Sequence, residues 1–97
     1  MALTVKWTLQ AEKGLEKVIE YLEKEWTVNE ILQLEKNLNQ VIYQISVYPE
    51  LYPKSEKSKL LRKVVVDKNN YLVYKYNKKN KTLEIINFRG TKQKPKY

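Results

Sequence analysis

Leu3–Trp7 alternates apolar and polar side chains, the period of a short strand with one buried face. Thr8 follows with a hydroxyl suited to a helix N-cap. Ala11, Leu15, Val18, Ile19, Leu22 and Trp26 then recur at helical spacing, with Glu and Lys on the opposite side. Gly14 interrupts this helix at about 1 kcal/mol relative to Ala, which reads as a tolerated blemish or as the mark of a close neighbour. Thr27-Val28-Asn29-Glu30 has the form of a capping box. The helix it opens carries Ile31, Leu34, Leu38, Val41, Ile42 and Ile45 on one stripe and stops before Pro49, which turns Tyr48 away from helical geometry. Two amphipathic helices with almost no linker predict an antiparallel hairpin whose apolar stripes need another layer to cover them.

Tyr48-Pro49-Glu50-Leu51-Tyr52-Pro53 reads as an extended connector. Beyond it Leu60–Val66, Tyr71–Tyr76 and Leu83–Phe88 are β-branched and aromatic runs of strand length, separated by polar breaks at Asp67–Asn70 and Asn77–Lys81. The predicted fold is α+β, β-α-α-β-β-β, a two-helix hairpin on one face of a mostly antiparallel four-stranded sheet. Residues 1–97 make one domain, with no repeat and no low-complexity tract. On the last strand, alternation assigns Ile86 and Phe88 to the core and Ile85, Asn87 and Arg89 to the other side.

Charge changes this picture. The net charge is +8, but residues 1–53 hold 5 Lys and 8 Glu while residues 54–97 hold 12 Lys, 2 Arg, 2 Glu and 1 Asp. The helical half is therefore −3 and the strand half +11. Such asymmetry fits a polyanionic partner, nucleic acid or an acidic protein segment; a solubilising lysine surface is the plainer reading. The chain has no cysteine and no histidine. That excludes a disulfide framework, a thiolate zinc site, a cysteine nucleophile and the commonest general base, and no metal or cofactor is expected. No apolar run reaches the length of a membrane span and Met1–Gln10 lacks a signal-peptide profile, so a soluble cytoplasmic protein is expected.

What chemistry remains belongs to Lys, Arg and Tyr. Only two of the 19 basic residues are arginines, Arg62 and Arg89, and a guanidinium offers the planar fork that suits phosphate. A histidine-free site for RNA cleavage, in which a ribose 2′-hydroxyl attacks its own phosphate, would draw on Arg62, Lys63, Arg89, Lys92 and Tyr97, with Lys94 adding charge. Arg62 and Lys63 are neighbours on a strand and so point to opposite faces. Tyr71, Tyr74 and Tyr76 are read as sheet residues, Trp7 and Trp26 as structural, and the isolated Glu50 and Glu84 give no carboxylate pair.

Taken in order, Trp7-Thr8 with Ala11 and Leu15, Ile19-Glu20-Tyr21-Leu22 with Trp26, Ile45, Pro49 and Tyr52-Pro53, Leu61-Arg62-Lys63, Tyr71-Leu72-Val73-Tyr74 and Phe88-Arg89-Gly90-Thr91-Lys92-Gln93-Lys94-Pro95 span nearly the whole chain. This arrangement resembles the RelE/ParE superfamily of bacterial toxins from type II toxin–antitoxin modules. The resemblance implies a small toxin neutralised by a cognate acidic antitoxin and forming an oligomer with it. RelE-like members cleave mRNA in the ribosomal A site with basic residues on the sheet and near the C-terminus, often with a C-terminal Tyr; ParE-like members lack that set and inhibit DNA gyrase. Arg62, Lys63, Arg89, Lys92, Lys94 and Tyr97 are the positions onto which the RNase set would map, while Val64-Val65-Val66 stands where RNase members commonly carry a further basic residue. The resemblance thus implies a ribosome-dependent endoribonuclease that inhibits translation, with a gyrase-directed toxin or a non-toxic nucleic-acid-binding module as alternatives.

Overall fold

The structure, a computed structural model, describes residues 3–56 and 58–90. The chain runs β1 (Thr4–Trp7), α1 (Leu9–Glu25), α2 (Val28–Val47), β2 (Arg62–Asp67), β3 (Asn70–Asn77) and β4 (Thr82–Gly90). The sheet order is β1-β4-β3-β2. β2, β3 and β4 form an antiparallel meander, and β1 adds to the far side of β4 in parallel, Thr4 against Thr82 through Trp7 against Ile85. The two helices lie across one face, as the amphipathic pattern requires.

Local chemistry explains the boundaries. Thr8 caps α1, its hydroxyl accepting from the Ala11 N–H at 3.2 Å. At the start of α2, the Glu30 carboxylate reaches back to the Thr27 N–H at 3.1 Å and to the Thr27 hydroxyl, and these bonds hold its carboxyl below the usual range. The β2–β3 turn is closed by Asp67, whose Oδ1 accepts from the Asn69 N–H at 2.8 Å and from the Asn70 side chain at 3.1 Å. The core joins Ala11, Leu34, Leu38, Val41 and Ile45 of the helices to Val64, Val66, Leu72, Tyr74, Leu83, Ile85 and Phe88 of the sheet.

Two sequence expectations change. Strict alternation put Ile86 in the core, but the buried residues of this stretch are Ile85, Asn87 and Phe88, of which Ile85 and Phe88 join the core, and Ile86 is half-buried. The cause is a bulge: Tyr74 pairs with Ile85 and Val73 with Asn87, so Ile86 is an inserted residue that resets the alternation. Gly14 is no blemish. A Cβ built there would stand 2.2 Å from the Phe88 carbonyl oxygen and 3.2 Å from Asn87 Oδ1, so α1 rides directly on the backbone of β4.

Thr8 works at the same place. Its N–H donates to the Ile85 carbonyl at 3.1 Å, and its hydroxyl lies 2.9 Å and 3.0 Å from the carbonyl oxygens of Ile85 and Ile86. One residue therefore caps the helix and ties it to the bulge. Gly14→Ala is expected to destabilise by about 2 kcal/mol, because overpacking against backbone outweighs the gain in helix propensity. Thr8→Val, similar in shape, is expected to lose about 1 to 2 kcal/mol through the cap and the clasp together. Thermal denaturation followed by circular dichroism checks both, at roughly 4 to 8 °C per kcal/mol for a domain of this size.

Candidate functional site

On the sheet face turned away from the Leu72, Tyr74 and Phe88 core, side chains alternate out of register with it. Arg89 of β4, Tyr71 of β3 and Val65 of β2 lie in one row across the ladder, and Lys63 sits two residues along β2. The Lys63 ammonium lies over the Tyr71 ring, 4.3 Å from its centroid, where the ring quadrupole attracts a cation. Tyr71 is only 3% exposed, so its ring is a floor of the face rather than a platform for a stacked base. Lys63 and Arg89 thus flank one buried aromatic, a cation on each side. Both are half-buried, which keeps them in place yet reachable.

Arg62 lies elsewhere. It takes the side of Val64 and Val66, and its Nη1 donates to the Tyr52 carbonyl at 2.7 Å and to the Glu50 carbonyl at 3.4 Å. The guanidinium pins the connector after α2 against the edge of β2. The same segment is held by the Lys63 N–H on the Pro53 carbonyl, 3.2 Å, and by the Tyr74 hydroxyl, which donates to the Pro49 carbonyl at 2.7 Å. Burial pushes the Tyr74 phenol up to about 12, with nearby Arg62 opposing the rise. Glu50 is paired on the surface with Lys78 at 3.0 Å, and that hydrogen bond leads the causes that lower its carboxyl. Lys92, Lys94 and Tyr97 lie outside the described residues.

A second feature has no counterpart in the motif reading. A groove of about 1220 Å³ opens between the helix hairpin, the β2–β3 turn and the end of β4. Leu9, Val18, Tyr21, Leu22 and Trp26 give it an apolar wall. Lys13, Lys17, Lys68 and Arg89 line it as well, against Glu30 and Asp67, so its balance is positive although α1 as a whole is acidic. The signal in the sequence was the step of four from Lys13 to Lys17 to Tyr21, one face of α1. What the sequence lacked was the knowledge that this face borders β4. Among the described residues no cluster of His, Cys, Asp or Glu is placed to hold a metal ion, and no helix is long and apolar enough to cross a membrane.

Solved structures share this architecture. A metal-bound toxin from Helicobacter pylori superposes with a TM-score of 0.66 at 18% identity, over 92% of this chain and 94% of that one. The RelBE2 toxin–antitoxin complex of Mycobacterium tuberculosis gives 0.63 at 16% identity, over 93% and 99%. The isolated RelE toxin of Escherichia coli gives 0.60 at 16% identity, over 96% and 88%. At these identities the likeness is one of fold, and no curated protein sequence matches the chain. The sequence itself is matched over residues 5–95 by the family model described as ParE toxin of type II toxin-antitoxin system, parDE, and the chain belongs to that toxin family.

Proposed function

We propose that this toxin is an endoribonuclease that cleaves mRNA on the ribosome and so inhibits translation. The observation that carries the reading is the pair of half-buried cations, Lys63 over the Tyr71 ring and Arg89 beside Tyr71 in the ladder, on the sheet face turned away from the core. Arg89 is the residue for the scissile phosphate, because its planar fork can bind two oxygens and meet the charge that develops as the 2′-hydroxyl attacks. Lys63 adds a point charge on the same surface. Lys92, Lys94 and Tyr97 extend the set, the lysines by charge and Tyr97 by stacking on or positioning a nucleotide. Arg62 enters this reading as the anchor of the connector, since its guanidinium is already engaged by backbone carbonyls. Alignment of the ribose for in-line attack is left to the ribosomal A site, which fits a site with no histidine.

A second reading, inhibition of DNA gyrase by protein binding, is favoured by the ParE family match over residues 5–95 and by the engagement of Arg62, which thins the cation set. The two separate in one host. Induction followed by mapping of mRNA 5′ ends gives codon-phased cuts under the first reading and none under the second, whereas a supercoiling assay with purified gyrase responds under the second alone.

Neutralisation is assigned to a cognate antitoxin bearing an acidic segment with an apolar face. The groove suits it: Leu9, Val18 and Leu22 for the apolar side, Lys13, Lys17, Lys68 and Arg89 for the carboxylates. Occupation of the groove would also cover Arg89.

Arg89→Ala is expected to cut cleavage by about 10² to 10³ in a chain that circular dichroism shows still folded, and Arg89→Lys to restore part of it. Arg62→Ala should instead lower stability, by about 1 to 2 kcal/mol, through the loss of its connector bonds. Toxicity assays paired with circular dichroism distinguish the two; a fully toxic Arg89→Ala would remove Arg89 from the site. The antitoxin should associate more slowly as salt rises, and more slowly again with Lys13→Glu and Lys17→Glu together, measured by stopped-flow mixing. An association rate indifferent to both would remove the groove as its docking place.

A further inference from the structure

α2 has a second apolar stripe that the fold does not use. Val28, Leu32 and Tyr43 are 68%, 56% and 68% exposed and Val47 is 38% exposed. At about 100° per residue, Val28, Leu32, Lys36, Asn39, Tyr43 and Val47 fall on one side of the helix, nearly opposite the buried Leu34, Leu38, Val41 and Ile45. The stripe reads the same from either end, in steps of four, four, three, four and four residues between Val28 and Val47.

That symmetry matters because two copies related by a two-fold axis must present the same patch to each other. With the axis at the middle of α2 and the helices antiparallel, Val28 of one copy faces Val47 of the other, Leu32 faces Tyr43, and Lys36 faces Asn39. The steps average about 3.8 residues, close to one helical turn, so the stripe keeps to one side of α2 while drifting slowly around it. The seam is low in charge, α2 carrying three charged residues in 20, Glu30, Glu35 and Lys36, whereas α1 carries eight in 17; the two Lys36 side chains approach each other at the axis and are its one repulsive element. The Lys36 amine can extend to the rim on its own stem.

A second observation agrees. A shallow cleft of about 360 Å³ lined by Val47, Tyr48, Pro49, Glu50 and Leu51 lies at the C-terminal end of the stripe, where the other copy's Val28 arrives. The acidic segment assigned to the antitoxin has no reason to dock here, since Lys36 is offset by its neighbour Glu35 and the cations of the groove are on another side. We infer that the outer face of α2 is a homodimer interface, in which two copies of this chain pair antiparallel through Val28, Leu32, Tyr43 and Val47. One helix pair is a small interface, so the dimer should form with rising concentration rather than be obligate. This inference is independent of whether the toxin acts on RNA or on gyrase.

The test uses the full chain. Sedimentation across micromolar concentrations should show a monomer–dimer equilibrium, and Leu32→Glu with Tyr43→Glu, both at exposed positions, should raise its Kd more than about tenfold by setting like charges across the seam. Because the chain has no cysteine, register can be read directly. The variant Leu32→Cys with Tyr43→Cys should form a disulfide-linked dimer under mild oxidation, and Val28→Cys with Leu32→Cys, whose pairs lie at opposite ends of the antiparallel seam, should not. A chain that stays monomeric throughout the range overturns the proposal. So does equal cross-linking of the two cysteine pairs, or protection of this face from solvent exchange only when an antitoxin is bound.

Discussion

The fold depends on how closely α1 sits on the main chain of β4. Between Ile85 and Phe88 the strand turns carbonyls toward the helix, and only two kinds of residue can meet them there. Thr8 meets them with a hydrogen bond, and Gly14 meets them by having no side chain. This contact fixes the hairpin against the middle of the sheet, sets α2 against β2, and leaves the groove open further along α1. The bulge at Ile86 belongs to the same arrangement: it redirects the strand end, so that Phe88 remains in the core while Arg89 emerges on the face away from it.

Much of this was legible from local pattern. The capping box at Thr27, the N-cap at Thr8 and the proline after α2 each state a boundary in residue chemistry, and the structure places the helices there. The exchange of helical for strand periodicity after Pro53 gave the order of elements. Three features were not fully legible, for separate physical reasons. The bulge is invisible because Ile85 and Ile86 are the same residue, and only the partner strand decides which one faces inward. The sequence left Gly14 open between a blemish and a close approach, because its neighbour is a backbone carbonyl, which every residue has. Arg62 stood out as a rare arginine, but its partners are again carbonyls, those of Glu50 and Tyr52. A side chain that binds backbone leaves no second signature in the sequence to be matched with it.

Charge and shape divide the surface into faces of different character. The −3 helical half does not offer a uniformly acidic surface, because Lys13 and Lys17 join Lys68 and Arg89 around the groove. The sheet face turned away from the core carries Lys63 and Arg89 beside a buried tyrosine, and the outer face of α2 is close to uncharged. Arg89 is common to the first two, so a partner seated in the groove would also cover the guanidinium proposed for phosphate.

The parallel pairing of β1 with β4 bears on when the protein first exists. Thr4 finds its partner at Thr82, so the first strand made has nothing to pair with until the last is complete. At about 5 to 20 residues per second, a ribosome needs roughly 4 to 16 seconds to cover that interval. Throughout it the clasp of Thr8 on Ile85 is absent and the Tyr71–Arg89 row is unformed. An unfinished chain therefore carries helices but no assembled toxin. The toxin fold is a property of the chain only once β4 has been made.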